Sequence, residues 1–145
     1  MPYVKVLSTP KIPFVYTVHK AVGPNCPNQR ADVLLVQYLL RVIYANGAVL
    51  EQPPLPSGRR ILVDGLCGPI TNEAILHFQQ TLKAKSHPIA ADGRVDRAFP
   101  GTKTPSGLQW TVIFMNFALK HAAPALHKDL PGAADCPPEL RAELL

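Results

Sequence analysis

Apolar side chains recur at intervals of three and four residues in three segments of the chain that contain no proline. This spacing is typical of helices that bury one face against a core. Proline, at 16 of 145 residues, lies outside these segments, where it favours loops and helix starts. The pattern predicts three helices, over about 29–44, 69–84 and 107–122.

Local signals set the expected starts of these helices. Asn28 can cap the first helix, because its side chain can accept a backbone N–H of the first turn. Pro69 suits the first turn of the second helix, where its backbone needs no N–H. Ser106 and Gln109 have the spacing of a capping box, which predicts that the third helix begins near Gly107.

The first and third predicted helices are more apolar than one buried face requires. Each carries two neighbouring stripes, so a further surface must cover the second stripe. The N-terminal arm, the C-terminal tail or a second subunit could cover the first helix, and burial by the arm is the preferred interpretation. The stripes are Val33, Val36, Leu40 and Ile43 beside Leu35, Leu39 and Val42 in the first helix, and Leu108, Val112, Met115 and Leu119 beside Trp110, Ile113, Phe114 and Phe117 in the third.

The remaining segments complete a mainly α fold. Residues 3–7 and 13–22 are rich in Val, Tyr, Phe and Thr, which predicts an N-terminal β hairpin or arm. Residues 46–60 form a long Pro/Gly-rich loop, a candidate binding element, and residues 61–63 are a short strand-like run. The expected organisation is an N-terminal β arm over 1–27, a three-helix domain over 28–123, and a Pro-rich tail over 124–145, irregular until a last turn or two at 138–145.

The net charge of +5 comes from the first 63 residues, which hold seven basic and two acidic side chains. A wall polymer, an acidic protein or nucleic acid could meet this surplus. A scattered solvated surface is the preferred interpretation, because only Arg59 and Arg60 are adjacent. The sequence has no recognition-helix pattern, basic stripe or RNA-binding aromatic motif, so we expect no nucleic-acid partner.

Membrane, secretory and disulfide signals are weak throughout the sequence. No apolar run approaches the roughly 18 residues of a membrane-spanning helix, and no general secretory signal is visible. Cys26, Cys67 and Cys136 lie far apart and are odd in number. Three reduced thiols are the preferred interpretation, and one disulfide with one remaining thiol is the alternative.

The motifs of common enzymes are missing from the sequence. The five histidines form no HExxH pair, no serine lies in GxSxG, and the cysteines form neither CxxC nor an SHGC context. Asp92 and Asp96 resemble a carboxylate pair, but they flank a tight turn, and a structural turn is the preferred interpretation. We expect a protein that is not an enzyme and that uses no metal and no cofactor.

Two Asp-Gly pairs, beginning at Asp64 and Asp92, mark tight turns. The Asp side chain can bond the backbone two residues on, and the glycine tolerates a positive φ. Gln37 and Gln79 lie on helices and are expected to be half-buried. Because a buried amide must find hydrogen-bond partners, we expect both to bond to the backbone of the turns.

Three segments resemble the peptidoglycan-binding-like domain of bacterial cell-wall hydrolases: VLLVQYLL at 33–40, DGLCGPITNEAILHFQQ at 64–80 and ADGRVD at 91–96. That family reads V-x-x-L-Q-x-x-L, then D-G-x-F-G-x-x-T-x-x-A-V-x-x-F-Q, then D-G-x-V-G. Cys67 replaces the aromatic residue of the second pattern, and Asp96 replaces the last glycine. The residues expected to shape the turns and core are Asp64, Gly65, Gly68, Thr71, Phe78, Gln79, Asp92 and Gly93.

The resemblance implies a compact three-helix module that anchors a protein to peptidoglycan, or to a wall-derived glycopeptide, without doing chemistry. We expect synthesis in the bacterial cytoplasm, followed by delivery to the cell envelope or export by a specialised route. The alternative is a structural or assembly protein that uses the same fold, and its spare apolar stripes, for homo-oligomerisation or for docking to a secretion or phage-like machine.

Ligand contacts should come from exposed polar and planar side chains near the loops. Peptidoglycan offers carboxylates, amides and sugars, which arginine forks, side-chain amides and aromatic faces recognise. The candidate ligand-binding residues are Tyr44, Arg59, Arg60, Asn72, His77, Gln80 and Arg94.

Overall fold

The computed structural model describes residues 1–7, 11–46 and 55–144, so most of the predicted loop over 46–60 lies outside the described residues. The fold is mainly helical with one small antiparallel hairpin at the N-terminus, which confirms the predicted class at that level. The elements are β1 (Tyr3–Val6), β2 (Phe14–Thr17), α1 (Arg30–Asn46), α2 (Pro69–Ala84), α3 (Thr111–Ala122), α4 (Pro124–Lys128) and α5 (Pro138–Leu144).

The hairpin pairs β1 with β2 in antiparallel register and ends at Thr17, opposite Tyr3. Its second strand is shorter than the predicted run. After Thr17 the chain turns toward α1, where the backbone N–H groups of His19 and Lys20 donate to the buried carboxylate of Asp32 at 2.9 and 3.1 Å. The strand ends here because these backbone N–H groups donate to a side chain of α1 and so cannot pair with a neighbouring strand.

The strand-like run at 61–63 forms no strand in the structure. None of the described segments pairs with it. Ile61 is buried in the core and Leu62 is exposed, so the run supplies one apolar contact without a ladder of backbone hydrogen bonds.

Asn28 does not cap α1, and that prediction is wrong. Its φ is 50°, and its amide closes the preceding turn by accepting the N–H of Gly23 at 2.8 Å and donating to the Gly23 carbonyl at 2.9 Å. Its side chain therefore serves the turn rather than the helix. The helix begins at Arg30, and its first turn is closed by the Val33 N–H bonding to the Gln29 carbonyl at 2.9 Å.

The C-terminal segment packs against α1, and the interpretation that the N-terminal arm buries the second apolar stripe of this helix stays a prediction. Leu35 and Leu39 on this stripe are fully buried, and α5 packs against α1. The guanidinium of Arg30 on α1 donates two hydrogen bonds, of 2.6 and 3.0 Å, to the carboxylate of Glu139 on α5. The Arg30 guanidinium also lowers the pKa of the Glu139 carboxyl through these hydrogen bonds.

The hairpin packs mainly against α3, because an asparagine side chain there continues its hydrogen bonding. Asn116 is fully buried on α3. Its Oδ1 accepts the Tyr16 N–H at 2.8 Å, and its Nδ2 donates to the Tyr16 carbonyl at 2.8 Å. One amide thereby pairs the outer edge of β2 as a neighbouring strand would, which fixes the arm to α3.

α3 begins later than predicted, because the chain before it forms a separate turn. The Ser106 hydroxyl bonds to that of Thr104 at 2.9 Å, not to a helix N–H. Gly107 has a φ of 88°, outside the helical region. The Gln109 N–H donates to the Pro88 carbonyl at 2.8 Å. The capping-box prediction is therefore wrong.

The tail contains two short helices where the sequence predicted mostly irregular chain. Both begin with a proline, Pro124 in α4 and Pro138 in α5, at a position that needs no backbone N–H. Arg141 of α5 donates to the carbonyls of Pro131, Ala133 and Cys136 at 2.8, 3.0 and 3.2 Å, which fixes the segment before the helix. The last turns at 138–145 were predicted, and α4 was not.

A buried polar cluster joins the hairpin to α3 and α4. His127 is 3% exposed, and its ring stacks on Phe14 with 4.9 Å between centroids. Its Nε2 donates to Asn116 Oδ1 at 3.2 Å, and its carbonyl accepts the Tyr16 hydroxyl at 2.8 Å. Burial, with a smaller effect from the charge of Lys120, lowers the pKa of His127 to about 4. The cluster is therefore built around a neutral imidazole.

Replacing His127 should remove a specific acid sensitivity of folding. Between pH 6.5 and 4 the unfolded imidazole binds a proton that the folded one does not, so stability rises with pH in this window and is lost as pH falls. At roughly 1.4 kcal/mol per pKa unit the loss reaches about 3 kcal/mol. Urea unfolding of the native protein and of His127→Gln at pH 4, 5, 6 and 7 measures it, and parallel stability profiles of the two proteins would contradict the assignment.

Candidate functional site

The Gln37 amide on α1 closes the first Asp-Gly turn. Its Oε1 accepts the N–H groups of Asp64 and Gly65 at 3.0 and 2.9 Å. Its Nε2 lies 3.0 Å from Asp64 Oδ1, 3.0 Å from the Leu66 carbonyl and 2.9 Å from the Thr71 hydroxyl on α2. Asp64 Oδ1 also accepts the Leu66 N–H at 2.9 Å, and Gly65 has the φ of 78° that the turn requires.

Gln79 on α2 makes matching contacts with the second turn, except that its Oε1 accepts one turn N–H instead of two. Its Oε1 accepts the Gly93 N–H at 2.8 Å. Its Nε2 lies 3.2 Å from Asp92 Oδ1, 2.9 Å from the Arg94 carbonyl and 2.9 Å from the Thr111 hydroxyl at the start of α3. Asp92 Oδ1 accepts the Arg94 N–H at 3.1 Å, and Gly93 again has a φ of 78°.

The two turns are thus copies of one unit, in which a helix glutamine holds an Asp-Gly turn and a threonine of the next helix. Both glutamines are fully buried, and their polar atoms are satisfied by the turn and the threonine. The first unit joins α1 to α2 and the second joins α2 to α3. The loops within the units differ in length, so only the bonded residues repeat. Gly68 precedes α2 in an extended conformation, and Phe78 is fully buried.

A cleft of about 650 Å³ lies beside the first unit, between the end of α1 and the chain before α2. Tyr44 on its wall is half-buried, and its hydroxyl lies 2.5 Å from Nδ1 of His77 on α2. Burial raises the pKa of Tyr44, with a further contribution from Glu73, so the hydroxyl stays protonated at neutral pH. The described lining residues are Arg41, Tyr44, Ala45, Leu55, Arg59, Arg60, Ile61 and Leu62.

A short turn holds Arg59 and Arg60 at the cleft. The Gly58 N–H bonds to the Leu55 carbonyl at 2.7 Å, with Gly58 at a φ of 79°. The Ser57 N–H and hydroxyl donate to the carboxylate of Glu73 on α2 at 3.0 and 2.7 Å. The turn is therefore attached to α2, and both arginines project as exposed side chains from a fixed backbone.

The structure separates the seven candidate ligand residues into two groups. Tyr44, Arg59 and Arg60 line the cleft, and His77 contacts Tyr44 from behind. The other three lie away from its described lining. Asn72 accepts a hydrogen bond from the Cys67 thiol at 3.2 Å, Arg94 pairs with Asp96 at 2.8 Å, and Gln80 is exposed on α2.

Sequence reasoning missed Arg41 and Thr111. Arg41 lies three residues before Tyr44 on α1, so the helical period places both on one side of the helix, and this spacing was the available signal. Thr111 would have emerged from a comparison of the two Asp-Gly segments, because it occupies in the second unit the place that Thr71 occupies in the first.

The three thiols are free, as preferred from the sequence. Over the described ranges, no cluster of three or more His, Cys, Asp or Glu side chains could hold a metal ion. Within the same ranges, no helix combines the length and the hydropathy that a membrane span requires.

Comparison with known proteins provides no relative from which function can be transferred. No family model matches the chain. Neither the curated proteins nor the solved structures contain a significant match. The functional argument therefore depends on the residues of this chain.

Exchanging either glutamine for leucine should destabilise the protein, because the leucine leaves turn N–H groups without acceptors. Each buried group costs about 1–3 kcal/mol. Gln37→Leu deprives the buried Gly65 N–H and the partly buried Asp64 N–H, and Gln79→Leu deprives the buried Gly93 N–H, so we expect the larger loss for Gln37→Leu. Urea unfolding at pH 7 measures both.

Gln80→Leu is the matched control, since it makes the same exchange on the exposed face of α2 and should change stability by less than about 0.5 kcal/mol. A Gln79→Leu protein as stable as the Gln80→Leu protein would contradict the role given to the repeated unit.

Proposed function

We propose that this chain is a non-catalytic module that binds the bacterial cell wall, with peptidoglycan as its ligand and the Arg41–Tyr44–Arg59–Arg60 cleft as its binding surface. The observation that carries the proposal is that three candidate ligand residues, Tyr44 of α1 and the adjacent Arg59 and Arg60 before α2, line one cleft. The helix α1, which lines the cleft, is joined to α2 by the turn unit built from residues of the peptidoglycan-binding-like pattern.

The repeated unit supports the finer part of the proposal, that α1, α2 and α3 form the three-helix core of such a domain. Gln37, Thr71 and Gln79, which match the family pattern, are the residues whose side chains link one helix to the next. α1 packs against both α2 and α3. Residues that serve the fold would lie at such joints between helices, and the ligand would then contact the loop surface around them.

The observation that motivated the assembly alternative is only partly removed. Leu35, Leu39 and Ile113 of the second stripes are fully buried, whereas Val42, Trp110, Phe114 and Phe117 are half-buried against the core. The exposed large apolar side chains among the described residues are Met1, Val4, Val6, Leu62, Leu66 and Phe99. For a binding module we expect light scattering to give the 15.8 kDa mass of a monomer across concentrations, and a concentration-dependent rise in mass would favour the alternative.

Sedimentation with purified sacculi tests wall binding directly. At low salt the protein should pellet with insoluble sacculi, and soluble muropeptides released by a muramidase should compete it into the supernatant. A basic protein of similar size and pI is the control, because it reports the adsorption that net charge alone causes. Recovery of this protein in the supernatant, or pelleting no greater than that of the control, would contradict the proposed function.

A further inference from the structure

The arginines of the chain fall into two classes. Four are engaged within the protein: Arg30 with Glu139, Arg94 with Asp96, Arg97 over the Phe99 ring at 4.5 Å, and Arg141 with three backbone carbonyls. The guanidinium groups of the other three, all at the cleft, have no acidic partner within 4 Å and no hydrogen bond among the described residues. The three are Arg41, Arg59 and Arg60.

The carboxylate of Glu73 makes no ion pair with the three arginines of the cleft. Glu73 accepts two hydrogen bonds from Ser57, so its oxygens hold the turn that presents Arg59 and Arg60. The three guanidiniums are the only charged groups in the described lining, and the floor beneath them is apolar, with Leu55 2% and Ile61 8% exposed. An apolar floor strengthens a guanidinium–anion contact, because it excludes water from one side.

The cleft is poorly suited to stack a sugar. The one aromatic ring in its described lining, Tyr44, is half-buried and tilted at 39° to the His77 ring, and its hydroxyl is already bonded to that histidine. Trp110, the single tryptophan of the chain, is not among the described lining residues. In the described lining, the polar side-chain groups without a partner are therefore guanidiniums, and a guanidinium can bind a carboxylate through two parallel hydrogen bonds.

We propose that this cleft selects the carboxylates of the wall's stem peptides rather than its glycan. This inference rests on the proposed wall binding. The stem peptides carry free carboxyl groups at side chains and chain ends, spaced along a chain with short aliphatic side chains. Such a ligand complements three guanidiniums above a floor of leucine and isoleucine, whereas neutral N-acetyl sugars leave the guanidiniums without partners.

The test removes positive charge from the cleft by mutation and negative charge from the wall by chemical treatment, in separate experiments. The cleft variant is Arg59→Gln with Arg60→Gln, and its matched control is Lys103→Gln with Lys128→Gln, which makes the same charge change at exposed sites outside the described lining. We expect the cleft variant to bind native sacculi at least tenfold more weakly than the wild type, and the control to stay within about threefold. Circular dichroism melts check that both fold.

Sacculi stripped of phosphate polymers by hydrofluoric acid are compared untreated and after amidation of their carboxyl groups with a carbodiimide and ammonia. Glycan strands freed of peptides by an amidase are soluble, because the peptides cross-link the sacculus, so these strands are immobilised on beads as the third form. Wild-type binding should fall at least tenfold on both treated forms. Full binding to peptide-free glycan, or to amidated sacculi, would overturn the carboxylate inference and leave wall binding intact.

Two other outcomes would also overturn the inference. Failure to bind untreated sacculi would remove the proposed function and this inference with it. Equal affinity for duplex DNA and for sacculi, with the same dependence on Arg59 and Arg60, would identify a general anion-binding surface instead of a carboxylate-selective one.

Discussion

A buried glutamine amide that holds an Asp-Gly turn is the interaction on which the rest of the structure depends. An amide can accept and donate at the same time, so it satisfies the N–H groups of a turn and the hydroxyl of the following helix with one side chain. Gln37 does this between α1 and α2, and Gln79 between α2 and α3. An apolar residue could fill the space, but it would leave the turn unpaired in a dry core, where unsatisfied polar groups are costly. The helices are therefore joined through polar contacts that allow few alternative arrangements.

The candidate binding cleft lies between the end of α1 and the chain before α2, and the first unit joins these two helices. The stretch of α2 that carries Thr71 of this unit also carries Glu73 and His77, which bond to Ser57 and Tyr44. The Glu73 hydrogen bonds attach to α2 the turn that presents Arg59 and Arg60. The guanidiniums of the cleft arginines make no hydrogen bond or ion pair with other described residues, which leaves them available for a ligand.

The ends of the chain complete the core in a way that local patterns do not encode. Asn116 bonds to the backbone of Tyr16, and Arg30 bonds to Glu139, across sequence separations of 100 and 109 residues. In both contacts, the local sequence around each polar group does not indicate its partner. The hairpin therefore packs mainly on α3, and α5 packs against α1.

Local chemistry by itself determined the positions of α1 and α2, the N-terminal hairpin, the two Asp-Gly turns and the helical period that buries Phe78, because each depends on residues close in sequence. It also indicated Tyr44, Arg59 and Arg60 as binding candidates by their side-chain type. Tertiary structure decided that these three meet at one cleft with Arg41, that Arg94 and Asn72 are occupied elsewhere, and that α3 starts after a separate turn at Gly107. The physical reason is that side-chain type alone does not decide whether a residue can bind a ligand. An arginine becomes a binding group only where the folded chain leaves its guanidinium without an internal partner.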